Sequence, residues 1–128
     1  MPGYFDAYTV ETIKDVKAAT ASVQEKAEEK GFTVLGVHDL QAIFGRKGFQ
    51  HDPVRVVEMC NEELGSRLLG VDPMMSLMMP CRIAVYSRNG RTHISALRPR
   101  AMGDYLPQLA PLADQGDSIM CSIVEEAK

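Results

Sequence analysis

The hydrophobic pattern changes period several times along the chain, and each change marks an element. Tyr4 to Val10 is rich in aromatic and β-branched residues and reads as a first strand. From about Thr12 to Lys30 the apolar residues Ile13, Val16, Val23 and Ala27 recur at helical spacing, with Lys14, Lys17, Gln24, Glu25 and Glu28 on the opposite face. Thr12 with Asp15 resembles a capping arrangement at the start of this helix, and Gly31 is placed to end it in a left-handed conformation. Phe32 to His38 alternates in part and reads as a second strand, in which Gly36 signals a bulge or a close approach. Leu40, Ile43 and Phe44 suffice for a short helical turn before Gly45, and Lys47-Gly48 and Asp52-Pro53 mark a loop.

The apolar run Val54 to Cys60 is the third strand. Asn61 is a good N-cap, and Glu62 and Glu63 suit the positive end of the helix dipole. The helix they open is expected to pack Leu64, Leu68 and Leu69 and to stop at Gly70. Asp72-Pro73 starts a connection, and Pro80 marks entry into a fourth strand, Cys81 to Ser87. Arg88-Asn89-Gly90-Arg91 reads as a hairpin turn, because Asn-Gly tolerates the positive φ angles such turns demand. Thr92 to Leu97 is the fifth strand. From Met102 the tail is helical, with Pro107 and Pro111 limiting its first piece. Asp117 is expected to cap a final helix carrying Ile119, Met120, Ile123 and Val124. The order β-α-β, β-α-β-β, helix predicts an α+β fold within one domain, residues 1–128. It is a two-layer sandwich: a mainly antiparallel sheet of about five strands with helices packed on one face.

Composition narrows the partners. Fourteen basic against 17 acidic residues give a net charge of -3, and no basic stripe supplies the phosphate neutralisation that nucleic acid requires. No run approaches the eighteen apolar residues of a membrane span. The N-terminus shows no basic region followed by an apolar core, so a cytoplasmic address is the default expectation. Three cysteines, an odd count, fit a reduced compartment better than a disulfide framework. There are eight methionines and no tryptophan, and four of the methionines fall between Met74 and Met79.

The cysteines carry the candidate chemistry. Cys60 precedes the cap of a helix, near free backbone N–H groups that favour a thiolate, while Glu58, Glu62 and Glu63 act in the opposite direction. Cys81 follows a proline that fixes its approach. If strands three and four are neighbours, the thiols suit a dithiol pair, a soft-metal site or a carrier of sulfur. Cu(I) and Zn²⁺ both accept thiolates, and thioethers favour Cu(I). Met59 and the cluster Met74, Met75, Met78 and Met79 would soften such a site, and Asn61 adjoins it. Among the histidines, His51 is the first candidate for a third ligand or base, since its loop leads into the cysteine strand; His38 and His93 are further candidates. The competing reading is plain packing, because free cysteine behaves as a small hydrophobe and methionine fills cores. Cys121, among apolar neighbours, reads as structural. Arg82, Arg91, Arg98 and Arg100 around the hairpin could receive an anion or form a solvated edge. No GxGxxG, Walker loop, GxSxG, CxxC or CxxCH occurs, so nucleotide binding and serine hydrolysis gain no support and no haem attachment site is present.

Cys60-Asn61, a leucine-rich helix, Asp72-Pro73 and then Pro80-Cys81 before Ile83-Ala84-Val85-Tyr86 and the Asn89-Gly90 turn resemble the domain-of-unknown-function family numbered 302. The resemblance runs from Tyr8 to the C-terminal helix. Two positions depart from it: Glu62 stands where the family has proline, and Met78-Met79 replace a leucine pair. The resemblance implies a fold similar to the TATA-binding-protein-like α+β class and a homodimer, and it strengthens Cys60 and Cys81 as site residues without implying a reaction. The leading expectation is a small cytoplasmic binding protein whose Cys60/Cys81 site holds a soft metal (Cu(I) or Zn²⁺), a haem-type group or a sulfur species. The alternatives are a cofactor-free dimerisation or regulatory module that buries Met74 to Met79, and a thiol-based sulfur transferase or reductase.

Overall fold

The structure, a computed structural model, describes residues 6–128, so Tyr4 and Phe5 of the expected first strand lie outside the described residues. The strands β1 (Ala7–Thr12), β2 (Thr33–Asp39), β3 (Val54–Cys60), β4 (Cys81–Arg88) and β5 (Arg91–Leu97) form one sheet in the order β1-β5-β4-β3-β2. Every neighbouring pair is antiparallel. β1 and β2 are consecutive in the chain yet lie at opposite edges. The helix joining them, α1 (Val16–Glu29), must therefore cross the sheet, and its buried stripe of Val16, Ala19, Val23 and Ala27 is the consequence.

The last helix, α5 (Ala110–Ala127), lies beside α1 and contributes Met120, Ile123, Val124 and Ala127 to the same core. Beneath the two helices the sheet presents Val57, Met59, Ile83, Val85 and Ile94, all fully buried. Each such side chain contributes about 1.5–3 kcal/mol relative to exposure. The alternating positions Val56, Ala84, Tyr86, His93 and Ser95 point to the other face and stay half-buried. Helices on one face of an antiparallel sheet are what the sequence predicts.

Local backbone chemistry fixes the connections. Asn89 (φ 54°) and Gly90 (φ 74°) both adopt positive φ in the β4–β5 hairpin. Gly31 follows α1 at φ 84°, and the Phe32 N–H donates to the Ala27 carbonyl at 2.9 Å, closing the helix end. The irregularity foreshadowed by Gly36 is a bulge: the β2–β3 register passes from Val34 to Gly36 and leaves Leu35 unpaired.

Four expectations are corrected. First, α1 begins at Val16, with the Asp15 carboxylate as its cap, accepting from the Ala18 N–H at 2.7 Å. Thr12 stays in β1 because the ladder continues to the pair Thr12–Thr92, and Ile13, in the tight connection, is fully exposed rather than in the stripe. Second, beyond the short helix α2 (Leu40–Gly45), Leu69 on α3 (Glu62–Val71) is exposed, and only Leu64 and Leu68 of the expected trio are buried. Third, the final helix starts at Ala110. Pro111 sits in its first turn, where a missing N–H costs nothing, so it starts the helix rather than interrupting it. Fourth, Asp117 is no cap. It lies in the middle of α5, and its carboxylate accepts from Arg98 Nε at 3.1 Å and Nη2 at 2.7 Å. A periodic pattern shows that α5 has a buried face, but it does not show which charged group that face holds.

A second, smaller core supports the site. Leu68 of α3, Met75 of the 3-10 helix Pro73–Met78, Met102 of α4 (Met102–Tyr105), and Leu109 and Ala113 pack together beside the main core. The long connections at this end of the sheet are thereby held against α5.

Candidate thiol–thioether site

Cys60 is the last residue of β3 and Cys81 the first of β4, on adjacent strands. Met59, not Cys60, is the partner of Cys81 across the ladder, so Cys60 lies one step further, where the chain turns into α3. Asn61 makes that turn: its side-chain oxygen accepts from the Leu64 N–H at 3.1 Å, which caps the helix and leaves the residue a structural task at the cavity wall. Pro80, joined to Met79 through a cis peptide bond, leads directly into Cys81.

Cys60 and Cys81 line one small cavity of about 40 Å³, walled almost wholly by apolar groups of α3, α4 and α5 and the Met78-Met79-Pro80 segment. Gly65 forms part of that wall. From the point where a β-carbon on Gly65 would stand, Cys60 Sγ is 3.4 Å away and Met79 Sδ 3.8 Å. The Cys60 thiol and the Met79 thioether thus meet beside Gly65, in a cavity that Cys81 also lines.

Burial dominates the electrostatics. Desolvation, then the nearby Glu62 carboxylate, pushes the Cys60 thiol above its ordinary pKa. Desolvation and the neighbouring Cys60 raise Cys81, opposed by the Arg82 guanidinium. The Cys60 shift is opposite to the one a helix N-terminus imposes alone. Both thiols are therefore protonated at neutral pH. That setting disfavours attack by a thiolate. All three cysteines are free, and burial also raises Cys121.

Apart from Met78, the remaining methionine and histidine candidates are not brought to the thiols. Met59 is fully buried in the main core, Met75 fills the smaller one, and Met74 is exposed; Met78 lines the cavity wall beside Met79. His51 precedes β3 at the end opposite Cys60, and the six steps from Val54 to Cys60 alone span about 20 Å. It packs edge-on against Phe44 instead, with ring centroids 5.4 Å apart. His38 bonds to Glu58 on the uncovered sheet face, and Arg82 Nε lies 3.5 Å from the same carboxylate. His93 stacks on Tyr86. Among the described residues no group of three or more His, Cys, Asp or Glu side chains could hold a metal ion. Gly65 is the residue that sequence reading missed. Its signal was a glycine inside a leucine-rich helix, a position that otherwise costs about 1 kcal/mol against alanine.

The family model for the domain of unknown function DUF302 matches residues 8–127. The chain belongs to that family. A DUF302 protein from Bacillus stearothermophilus, an uncharacterized conserved protein of known crystal structure, is 22% identical; the likeness covers 96% of this chain and 98% of that one with a TM-score of 0.90. At that identity the likeness carries the fold. No curated protein matches the chain.

The DUF302 fold here leaves Gly65 with just enough space for a methyl group, since 3.4 Å to Cys60 Sγ is ordinary contact. Gly65→Ala is accordingly expected to stabilise the metal-free protein by about 0.5–1 kcal/mol through helix propensity. Urea denaturation of the two proteins measures it, and a destabilised variant would mean that the sulfurs cannot yield to the methyl group.

Proposed function

We propose that this protein binds a single soft monovalent metal ion, Cu(I), through the thiolates of Cys60 and Cys81 with the Met79 thioether as third donor. The observation that carries the reading is the convergence of Cys60 Sγ and Met79 Sδ on the space beside Gly65, in a cavity that Cys81 also lines. Thiolates are soft donors, and a thioether beside them favours Cu(I) in particular. Zinc in structural sites takes four nitrogen, oxygen or sulfur ligands, and the described residues offer no group of three or more His, Cys, Asp or Glu to supply them. A haem-type group calls for a pocket of several hundred Å³, larger than the cavity of about 40 Å³ that Cys60 and Cys81 share.

Titration of the reduced protein with Cu(I) against a competing chelator tests the reading. One equivalent is expected to bind. Cys60→Ser and Cys81→Ser are each expected to weaken binding at least 100-fold, because the remaining thiolate must then hold the ion with a thioether. Gly65→Ala is expected to weaken it less, by narrowing the space beside Cys60. Wild-type affinity in both serine variants would rule the site out.

A further inference from the structure

A second concavity adjoins the thiol cavity. It is an open groove of about 660 Å³ over the uncovered face of the sheet, floored by Val56, Ala84, Tyr86 and Ser95 and edged by Leu97 and Arg82. Its volume falls within the range of small-molecule sites. Cys81, Met78, Pro80, Pro99, Met102 and Met120 border both the groove and the cavity. Cys60 and Met79 border only the cavity. Cys81 is thus the thiol that the groove reaches, while Cys60 and Met79 are reached only from the cavity.

Charge at the groove is asymmetric. Arg98 is already neutralised by Asp117 through two hydrogen bonds, and Asp6 by Arg100 in the same way. Arg82, next to Cys81 in the chain, is more than half exposed, and its ion-pair contact is the 3.5 Å approach to Glu58. It is the positive group at the groove with capacity to receive an anion.

From this placement we infer that the groove admits Cu(I) as an anionic complex of a small, carboxylate-bearing thiol, which Arg82 draws in and which passes its ion first to Cys81. The inference rests on the Cu(I) reading of the Cys60/Cys81 site. The transfer is ligand exchange without redox. A Cu–Sγ bond to Cys81 forms as a Cu–S bond to the carrier breaks, the Cys81 thiol proton goes to the departing carrier thiolate, and copper remains Cu(I). A second exchange at Cys60 releases the other carrier thiol in the same way and brings the ion beside Met79.

Stopped-flow transfer to the full chain from two sources tests it: the Cu(I)–glutathione complex, which is anionic, and tetrakis(acetonitrile)copper(I), whose ligands are uncharged. Arg82→Glu is expected to slow transfer from Cu(I)–glutathione about tenfold, and Arg82→Gln by less, while transfer from the acetonitrile complex is unchanged or faster. The slowing should shrink as salt is raised. Equal slowing from both sources, or none from either, would overturn the groove route while leaving the Cu(I) site in place. A wild-type protein that retains no Cu(I) would overturn the site itself, and the route with it. A protein that sediments as a dimer and becomes monomeric on Arg82→Glu would put a second copy over the groove and overturn the route as well.

Discussion

Asp117→Asn is expected to lower folding stability by about 3 kcal/mol, the low end of what removing one partner of a buried ion pair costs. Asp117 stands inside α5 with its side chain only 10% exposed, and Arg98, just after β5, is 24% exposed. The carboxylate accepts both guanidinium hydrogen bonds and a third, at 3.4 Å, from the Arg100 N–H. Arg98 in turn lies over the Tyr8 ring, 6.0 Å from its centroid, so the pair ties α5 to the end of β5 and the start of β1. Asparagine keeps the shape and removes the charge, leaving a part-buried guanidinium without its counter-ion. The melting temperature should fall by about 10 °C. The exposed pair Lys26–Glu29 is the control: Glu29→Gln should cost no more than about 0.5 kcal/mol.

The sign with pH follows from the same contacts. Hydrogen bonding to Arg98 holds the Asp117 carboxyl below its ordinary pKa, against the opposing effect of burial. A carboxylate depressed in the folded state stabilises the protein above its unfolded pKa of about 3.9. That contribution is lost as pH falls through the folded value. The gap between wild type and Asp117→Asn should therefore be constant near neutrality and close below about pH 4. Chemical denaturation as a function of pH measures it; a gap that instead widened in acid would mean that the pair is not what holds the helix.

Cu(I) affinity should rise about 100-fold for each pH unit between pH 6 and pH 8. An unperturbed thiol titrates near pH 8.5, and burial pushes both Cys60 and Cys81 upward, so each carries its proton throughout this window. Binding one Cu(I) through two thiolates releases both protons, and the dependence is second order in proton concentration. The sign is fixed: acid favours the metal-free protein. Competition against an aromatic diimine chelator, which stays unprotonated over this range, reads the slope directly. In Cys81→Ser it should drop to about tenfold per unit, since one thiol proton remains to be displaced. A wild-type slope near tenfold would assign the ion to one thiolate alone. By linkage, saturating Cu(I) should also raise the melting temperature more at pH 8 than at pH 6.

Much of the fold was legible in the residues because local and tertiary preferences agree. The Asn89-Gly90 turn, the Gly31 helix end and the apolar stripes on α1 and α5 depend on backbone freedom and on periodicity, both of which a sequence displays. The misreadings fall where a distant strand overrides a local signal. Thr12 has a capping residue's chemistry, but its pairing with Thr92 holds it in β1. Asp117 resembles a cap until Arg98, nineteen residues earlier, is brought against it. His51 adjoins the cysteine strand in sequence yet sits at the strand's far end, because an extended chain carries its two termini about 20 Å apart.

The site divides along the same line. The sequence determined that Cys60 ends a strand at a helix cap, that Cys81 follows a proline into the next strand, and that the chain is an α+β domain of the DUF302 family. Those are properties of neighbouring residues, and propensity and pattern encode them. Only the tertiary structure decided that β3 and β4 lie side by side, that Met79 rather than Met59 shares the space beside Gly65 with Cys60, and that burial raises the Cys60 pKa. Each of those depends on which groups surround a sulfur in space. A thiol's proton affinity follows its solvent and its neighbours, and both are set by the fold.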